Sequence, residues 1–457
     1  MITAVNNFGF PKKTEYQQAI LHFFEQEASS VSLTQLHAAS DIRSRQTILS
    51  YVQELATLID THSSKNSLHL TVEMNRGITL HRNNHNLAVI KEKLYTDTLA
   101  YRILHQLFFT RRFPSEPFCK KHQISFSKLR RQIKKINQYL AFCNVQIKVG
   151  NQVQMIGDER HIQSLFFLFF YQIYRGLSQF PQVTAQPYLE EAQALVQTLR
   201  IDGEAPLLDI IALALFVNKQ SSKMFPLLPA KFRSYIGEAE DRLDDNALEM
   251  FLMLEAFDFL VVPRRPYHLE KIQQWIRCFK EVGGQLTAQE VQHFEQFAWQ
   301  EEMKQALFFE PTEWLTPIVG STVTLTEQQQ KRAKAIFEET WQLFQHKYPE
   351  DYPFKQEKLW QAYLQIVPKK QWLATIAVYI QTSLPCRIKY QVQQHISQYF
   401  EQDYHIRFVN TVQEAQLVLS TERHALDTTC PVLLIEPQLF HRDWQQLTQS
   451  LQKLSAS

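Results

Sequence analysis

Along the first 160 or so residues, apolar positions recur at helical spacing, give way to short extended runs, and then do both again. Tyr16, Ala19, Ile20 and Phe23 share one face of a helix predicted over 14–27. Ser32 stands where an N-cap opens a short helix through Ala39. A break at Ser40-Asp41 leads to a third helix from Ser44, in which Ile48, Val52, Leu55 and Ile59 keep the helical period. Two strand-like runs follow, 67–73 and 77–81, joined by Met74-Asn75-Arg76. Three helices and a hairpin in that order predict a winged helix-turn-helix.

The same order then returns. A long amphipathic helix is predicted over 91–109, a short one over 116–122, and a third over 125–140 with Leu129, Ile133, Ile136 and Leu140 facing inward. A hairpin closes the unit, 145–149 and 153–156, through a Gly150-Asn151 turn. Two successive matches to one template arise by chance far less readily than one, so the duplication is the strongest structural signal in the chain.

From His161 to about Trp372 the pattern is nearly all helical, with apolar, aromatic-rich segments at 162–174, 207–217, 247–259 and 269–279, then 288–303, 327–346 and 355–366. Prolines 263, 266, 311, 317, 349 and 353 fall between them. The length allows two helical bundles of similar size. The last stretch alternates: strand 375–380, helix 388–400, strand 405–409, helix 412–421, strand 431–435, helix 440–454. Alternation predicts a small α/β domain with a parallel sheet. The expected fold is therefore multidomain and mainly α: winged helices over 1–85 and 86–159, helical bundles over 160–275 and 276–371, and an α/β tail over 372–457.

Charge sharpens this picture. The net charge of the 457-residue chain is only +2, yet residues 1–157 hold 20 Lys+Arg against 10 Asp+Glu and the remainder 28 against 36. A head of net +10 on a body of net −8 suits contact with phosphates. The third helix of the first unit offers Arg43, Ser44, Arg45, Gln46 and Thr47 near its start; that of the second offers Ser125, Ser127, Lys128, Arg130, Arg131, Lys134 and Lys135. Arg and Lys pair with guanine edges or phosphates and Gln with adenine; the plainer reading, a solvated helix face, gives way in a helix-turn-helix context. Glycine is scarce, 10 in all, and neither GxGxxG nor GxxxxGK[ST] occurs, so nothing supports a nucleotide-binding enzyme. The five cysteines stand far apart, without CxxC spacing, which predicts no metal site and a reducing compartment. With no secretory leader and no apolar run long enough for a membrane span, the expected location is the cytoplasm. No catalytic group or cofactor is expected.

Two winged helices, a double helical bundle and a small α/β tail resemble the Mga/AtxA-type virulence regulators of Gram-positive bacteria. The resemblance spans the chain by element order and is most specific at 125–137 and in the hairpin running to Gly157-Asp158-Glu159. It implies that the bundles are PTS-regulation domains and that the tail is similar to an EIIB subunit of the sugar phosphotransferase system. It further implies binding to double-stranded promoter DNA, homodimers or higher oligomers formed through the C-terminal half, and control by PTS phosphocarriers acting on histidines. The candidate histidines are His161, His268, His293 and His346, of which His268 follows the basic run Arg264-Arg265-Pro266-Tyr267; none fits the family's phosphorylation pattern well. The tail departs from EIIB enzymes, because no cysteine stands directly after its first strand and Cys386 comes about five residues late. A DNA-binding regulator is the leading expectation. An EIIB-like phosphoryl-transfer protein and a winged-helix protein-interaction scaffold are the alternatives.

Overall fold

A computed structural model of the chain describes residues 9–26, 30–64, 67–73, 77–83, 85–201, 204–220, 228–229, 232, 243–260, 270–282, 286–309, 327–349, 354–366, 375–400, 404–422 and 428–456. The turn Met74-Asn75-Arg76, the basic loop with His268, and prolines 263, 266, 311, 317 and 353 lie outside the described residues.

The first unit consists of α1 (Lys12–Gln26), α2 (Leu33–Ala39), α3 (Arg45–His62), β1 (Leu68–Glu73) and β2 (Gly77–Arg82). Ser32 caps α2 in a reciprocal box with Gln35, and the Ser44 hydroxyl accepts the Thr47 N–H at the start of α3. β1 and β2 pair antiparallel from Leu68↔Arg82 to Glu73↔Gly77, and Val31 adds a bridge to Ile78. Gly77 has φ +94°, and a Cβ there would meet the Val31 carbonyl oxygen at 2.9 Å, so the bridge requires glycine. Ile48, Val52, Leu55 and Ile59 pack with Ile20, Phe24, Leu68 and Leu80 into a core that also takes in Leu87, Ile90 and Leu94 of the following segment.

The second unit begins with α4 (Ala88–Thr96) and α5 (Leu99–Thr110), not the single helix expected over 91–109. Thr98 is extended, its hydroxyl accepts the Tyr101 N–H at 3.1 Å, and it donates to the Tyr95 carbonyl at 2.7 Å. An apolar period that runs through the break hides it; the capping threonine is the signal. Then come β3 (Arg112–Pro114), α6 (Ser115–Lys121), α7 (Phe126–Leu140), β4 (Gln146–Val149) and β5 (Gln152–Ile156), with strand order β3-β5-β4. Gly150 and Asn151 alone separate β4 from β5, as expected, and Val149 pairs with Val153.

The described helices of the body are α8 (Glu159–Tyr174), α9 (Gln186–Leu199), α10 (Ala205–Lys219), α11 (Asp245–Ala256), α12 (Glu270–Glu281), α13 (Ala288–Ala306), α14 (Glu327–Lys347) and α15 (Gln356–Ile366). α8 is buried almost all round, with Phe166, Phe167, Phe169 and Phe170 inside, as a helix without a polar face must be. One apolar core runs from the second winged helix through α8, α10 and α11 to the tail. A separate aromatic core forms around Trp275, Phe294, Phe337 and Tyr363. Among the described residues no helix is long and apolar enough to cross a membrane.

The tail comprises β6 (Thr375–Gln381), α16 (Cys386–Tyr399), β7 (His405–Val409), β8 (Leu417–Ser420), β9 (Val432–Leu434) and α17 (His441–Ala456), its strands parallel in the order β7-β6-β8-β9. The parallel sheet matches expectation, but the helix expected over 412–421 is a short 3-10 turn, Val412–Glu414, followed by β8. All four residues of β8 are buried, and a short apolar run buried on both faces carries no period of two to betray it.

The tail folds back on the first unit. Arg82, at the end of β2, pairs through Nε with Glu25 of α1 at 2.9 Å and through Nη2 with Asp443 of α17 at 2.6 Å, all three side chains being nearly inaccessible. Glu436 accepts the Leu87 N–H at 2.5 Å and pairs with Lys91 at 3.1 Å. Asn86 donates to the Glu422 carbonyl at 2.8 Å, and the His22 ring meets Phe440 edge-on. Burial pushes the Glu25 carboxyl up to about 7 despite Arg82 beside it, and burial holds His22 near 4.

Candidate nucleic-acid interface

α7 is the more basic of the two third helices. Ser125 caps it, its hydroxyl accepting the Lys128 N–H at 3.2 Å. Leu129, Ile133, Ile136 and Leu140 lock the inner face into the core, and 3.6 residues per turn then sort the remainder into stripes. Ser127, Arg131 and Lys134 run along the outer face. Arg130 and Lys134 share a flank with Asn137, while Lys128 and Lys135 share the other with Gln132. Ser125, Ser127, Lys128, Arg130, Arg131, Lys134 and Lys135 are all exposed. None of the five cations is ion-paired among the described residues.

The two flanks are anchored. On one, Asn137 clamps β4: its Nδ2 donates to the Ile147 carbonyl and its Oδ1 accepts the Ile147 N–H, both at 2.8 Å. This fixes the wing relative to the helix. On the other, Gln132 donates to the Gly9 carbonyl, and Gly9, at φ +68°, lies so close that a Cβ would meet the Ile136 backbone nitrogen at 2.9 Å. The N-terminal segment thus leans on α7, with Phe10 against Tyr95.

The wing adds groups that sequence reasoning missed. Register places Gln154 opposite both Arg112 of β3 and Lys148 of β4, and all three are exposed. A row of cation, amide and cation therefore crosses the sheet beside α7. β3 is only three residues long, too short for periodicity to reveal. Phe126, the first residue of α7, was also missed; it is 45% exposed at the polar end of the helix, where apolar groups contact thymine methyls in a major groove.

In the first unit Arg43, Ser44, Arg45 and Gln46 are exposed at the start of α3 and Thr47 is half-buried. The Arg43 carbonyl lies 3.3 Å from His37 Nε2, which joins the two helices of that helix-turn-helix. This face holds two cations against five on α7.

The second unit is tied firmly to the body. Asp158 caps α8, and the Arg111–Glu159 pair at 2.5 Å links the end of α5 to the start of α8. Arg160 pairs with Glu249 of α11.

The histidines differ in setting. His161 engages the Cys143 carbonyl through Nδ1 at 2.9 Å, below the wing. His293 is half-buried, its ring edge-on to Tyr390 and its basicity lowered by burial. His346 is exposed in the last turn of α14, and His268 lies outside the described residues. Cys386 opens α16, and burial raises its thiol pKa, against the thiolate that phosphocysteine chemistry uses.

Residues 83–170 match the model of the Mga helix-turn-helix domain. The matched segment runs from the end of β2 through the second winged helix into α8, and so includes α7, the Asn137 clamp and the wing. No curated protein matches the chain in sequence. The match is consistent with a Mga/AtxA-like regulator and supports DNA binding in transcription regulation.

Proposed function

We propose that the chain, whose residues 83–170 match a Mga helix-turn-helix domain, regulates transcription by setting α7 into the major groove of duplex DNA. The observation that carries this reading is the row of exposed cations on α7, unpaired among the described residues, beside a wing held in place by Asn137. Ser127, Arg131 and Lys134 face the base edges; Lys128 and Lys135 on one flank, and Arg130 on the other, meet the phosphates. The wing's Arg112 and Lys148 reach the adjoining backbone. Arg43, Ser44, Arg45, Gln46 and Thr47 of the first unit make a second, weaker contact. Phosphate contacts fix register and base contacts give sequence preference.

The finer reading follows the resemblance. The regulator acts as a homodimer or higher oligomer assembled through its C-terminal half, since paired half-sites need paired heads. The stacked Tyr399 and Trp444, with Tyr399 57% exposed, offer an apolar patch for that contact. Control of virulence or carbohydrate genes through PTS phosphorylation belongs to the same proposal, with His346 the most accessible described candidate.

Selection from a random duplex library with the full chain tests the reading. Enrichment of one motif, lost when Arg131 and Lys134 are replaced by alanine, is the expected result. A library that stays random after repeated rounds would refute it.

A further inference from the structure

A cavity of about 250 Å³ lies where the second helical bundle meets the tail. α13 and α15 form one wall, α16 the other, and Asp258, just past the end of α11, sits at its floor. None of its lining residues belongs to either winged helix, and no part of the DNA reading uses it.

Its lining is polar and under-satisfied. Asp258 is 4% exposed; its Oδ1 accepts from Gln296 at 3.1 Å and Gln300 at 2.7 Å, while its Oδ2 is buried with no partner among the described residues. The buried Nδ1 of His293 is likewise without one. Buried polar atoms in folded proteins are nearly always paired, so these two exceptions leave Asp258 and His293, both of which line the cavity, incompletely satisfied. Gln365, Gln393 and Asn410 add side-chain amides that make no hydrogen bond among the described residues. Arg387, held over the Phe297 ring at 5.8 Å, and Lys389, over Tyr379 at 5.8 Å, line the same space without ion pairs among those residues. Burial pushes the Asp258 carboxyl up to about 7, against the opposing pull of Gln300, Arg387 and Lys304.

From this juxtaposition we infer that the cavity is a binding site for a small anion rich in hydroxyl groups, of the size of a sugar phosphate or sugar acid. The amides, which both donate and accept, suit hydroxyls. Arg387 and Lys389 suit the phosphate or carboxylate. His293 and Asp258 complete the ring of partners. Such a ligand bridges the second bundle and the tail.

The test is calorimetric titration of the full chain with glucose 6-phosphate, glycerol 3-phosphate, gluconate, glucose and inorganic phosphate. At least one of the first three is expected to bind in the millimolar range or tighter, and to do so about tenfold better than glucose or phosphate, since each of those carries half of the determinants. Which anion wins distinguishes phosphate from carboxylate as the preferred group. Arg387→Ala is expected to lose about tenfold or more in affinity, with Arg387→Lys recovering part of it and circular dichroism unchanged. If Arg387→Ala does not fold, Gln393→Leu carries the same expectation. Absence of binding by all five compounds would mean that the cavity holds water only and would overturn the inference. So would equal binding of inorganic phosphate, an adventitious ion only, or wild-type affinity in a folded Arg387 variant. DNA enters none of these measurements, so their failure leaves the DNA-binding reading untouched.

Discussion

At the scale of single residues, the cations of the N-terminal region fall into two kinds. Arg82, Lys91, Arg111 and Arg160 are ion-paired at joints between elements. Lys128, Arg130, Arg131, Lys134 and Lys135 stand unpaired among the described residues and exposed. Exposed salt bridges contribute little to stability, so the second group is free to serve a ligand without weakening the fold. Asn137 connects the two kinds of role, because it touches no DNA in this reading but sets the angle between α7 and the wing. Asn137→Ala leaves the Ile147 N–H and C=O unpaired, a loss of about 1–3 kcal/mol. It is expected to weaken DNA affinity and, by releasing the wing that carries Lys148, to make the salt dependence of binding less steep. Anisotropy titrations at several salt concentrations check this; affinity and slope both equal to the wild type's would show that the clamp does not position the wing on DNA.

At the scale of elements, most of the chain was legible because amphipathic helices and capped starts announce themselves. The periodic Leu129, Ile133, Ile136 and Leu140, opened by Ser125, gave α7 within a residue, and the exposed face of that helix could be read with it. Several features were not legible. The Thr98 break between α4 and α5 leaves the apolar period intact. β3 and β8 are short, three and four residues, so pairing partners far along the chain define them rather than any local pattern. For the same reason the wing's Arg112-Gln154-Lys148 row could not be seen in advance: it exists only through the register of β3 and β4 against β5. The cavity against α16 was equally hidden, since its lining comes from five separate stretches of chain.

At the scale of the whole molecule, the tail grips the first winged helix through Arg82, held between Glu25 and Asp443, and the second winged helix shares a core with the body. The first head is thus held by a buried charge cluster and by apolar packing on α4, the second by its share of the body's core together with the Arg111–Glu159 and Arg160–Glu249 pairs. Arg82→Ala strands two buried carboxylates, and removing one partner of such a cluster typically destabilises by about 3–5 kcal/mol. A lower unfolding temperature, with amide exchange accelerated first in α1 and α17, is expected; exchange unchanged in both helices would show that the cluster does not hold the tail to the head. The central claim, that α7 reads duplex DNA, is tested most directly by a salt titration of DNA binding for the full chain and its Arg130→Ala/Arg131→Ala variant. The account predicts salt-sensitive binding whose slope of log K against log salt falls by about 0.9 for each phosphate contact removed. No measurable affinity at low salt, or a variant indistinguishable from the wild type, would contradict it.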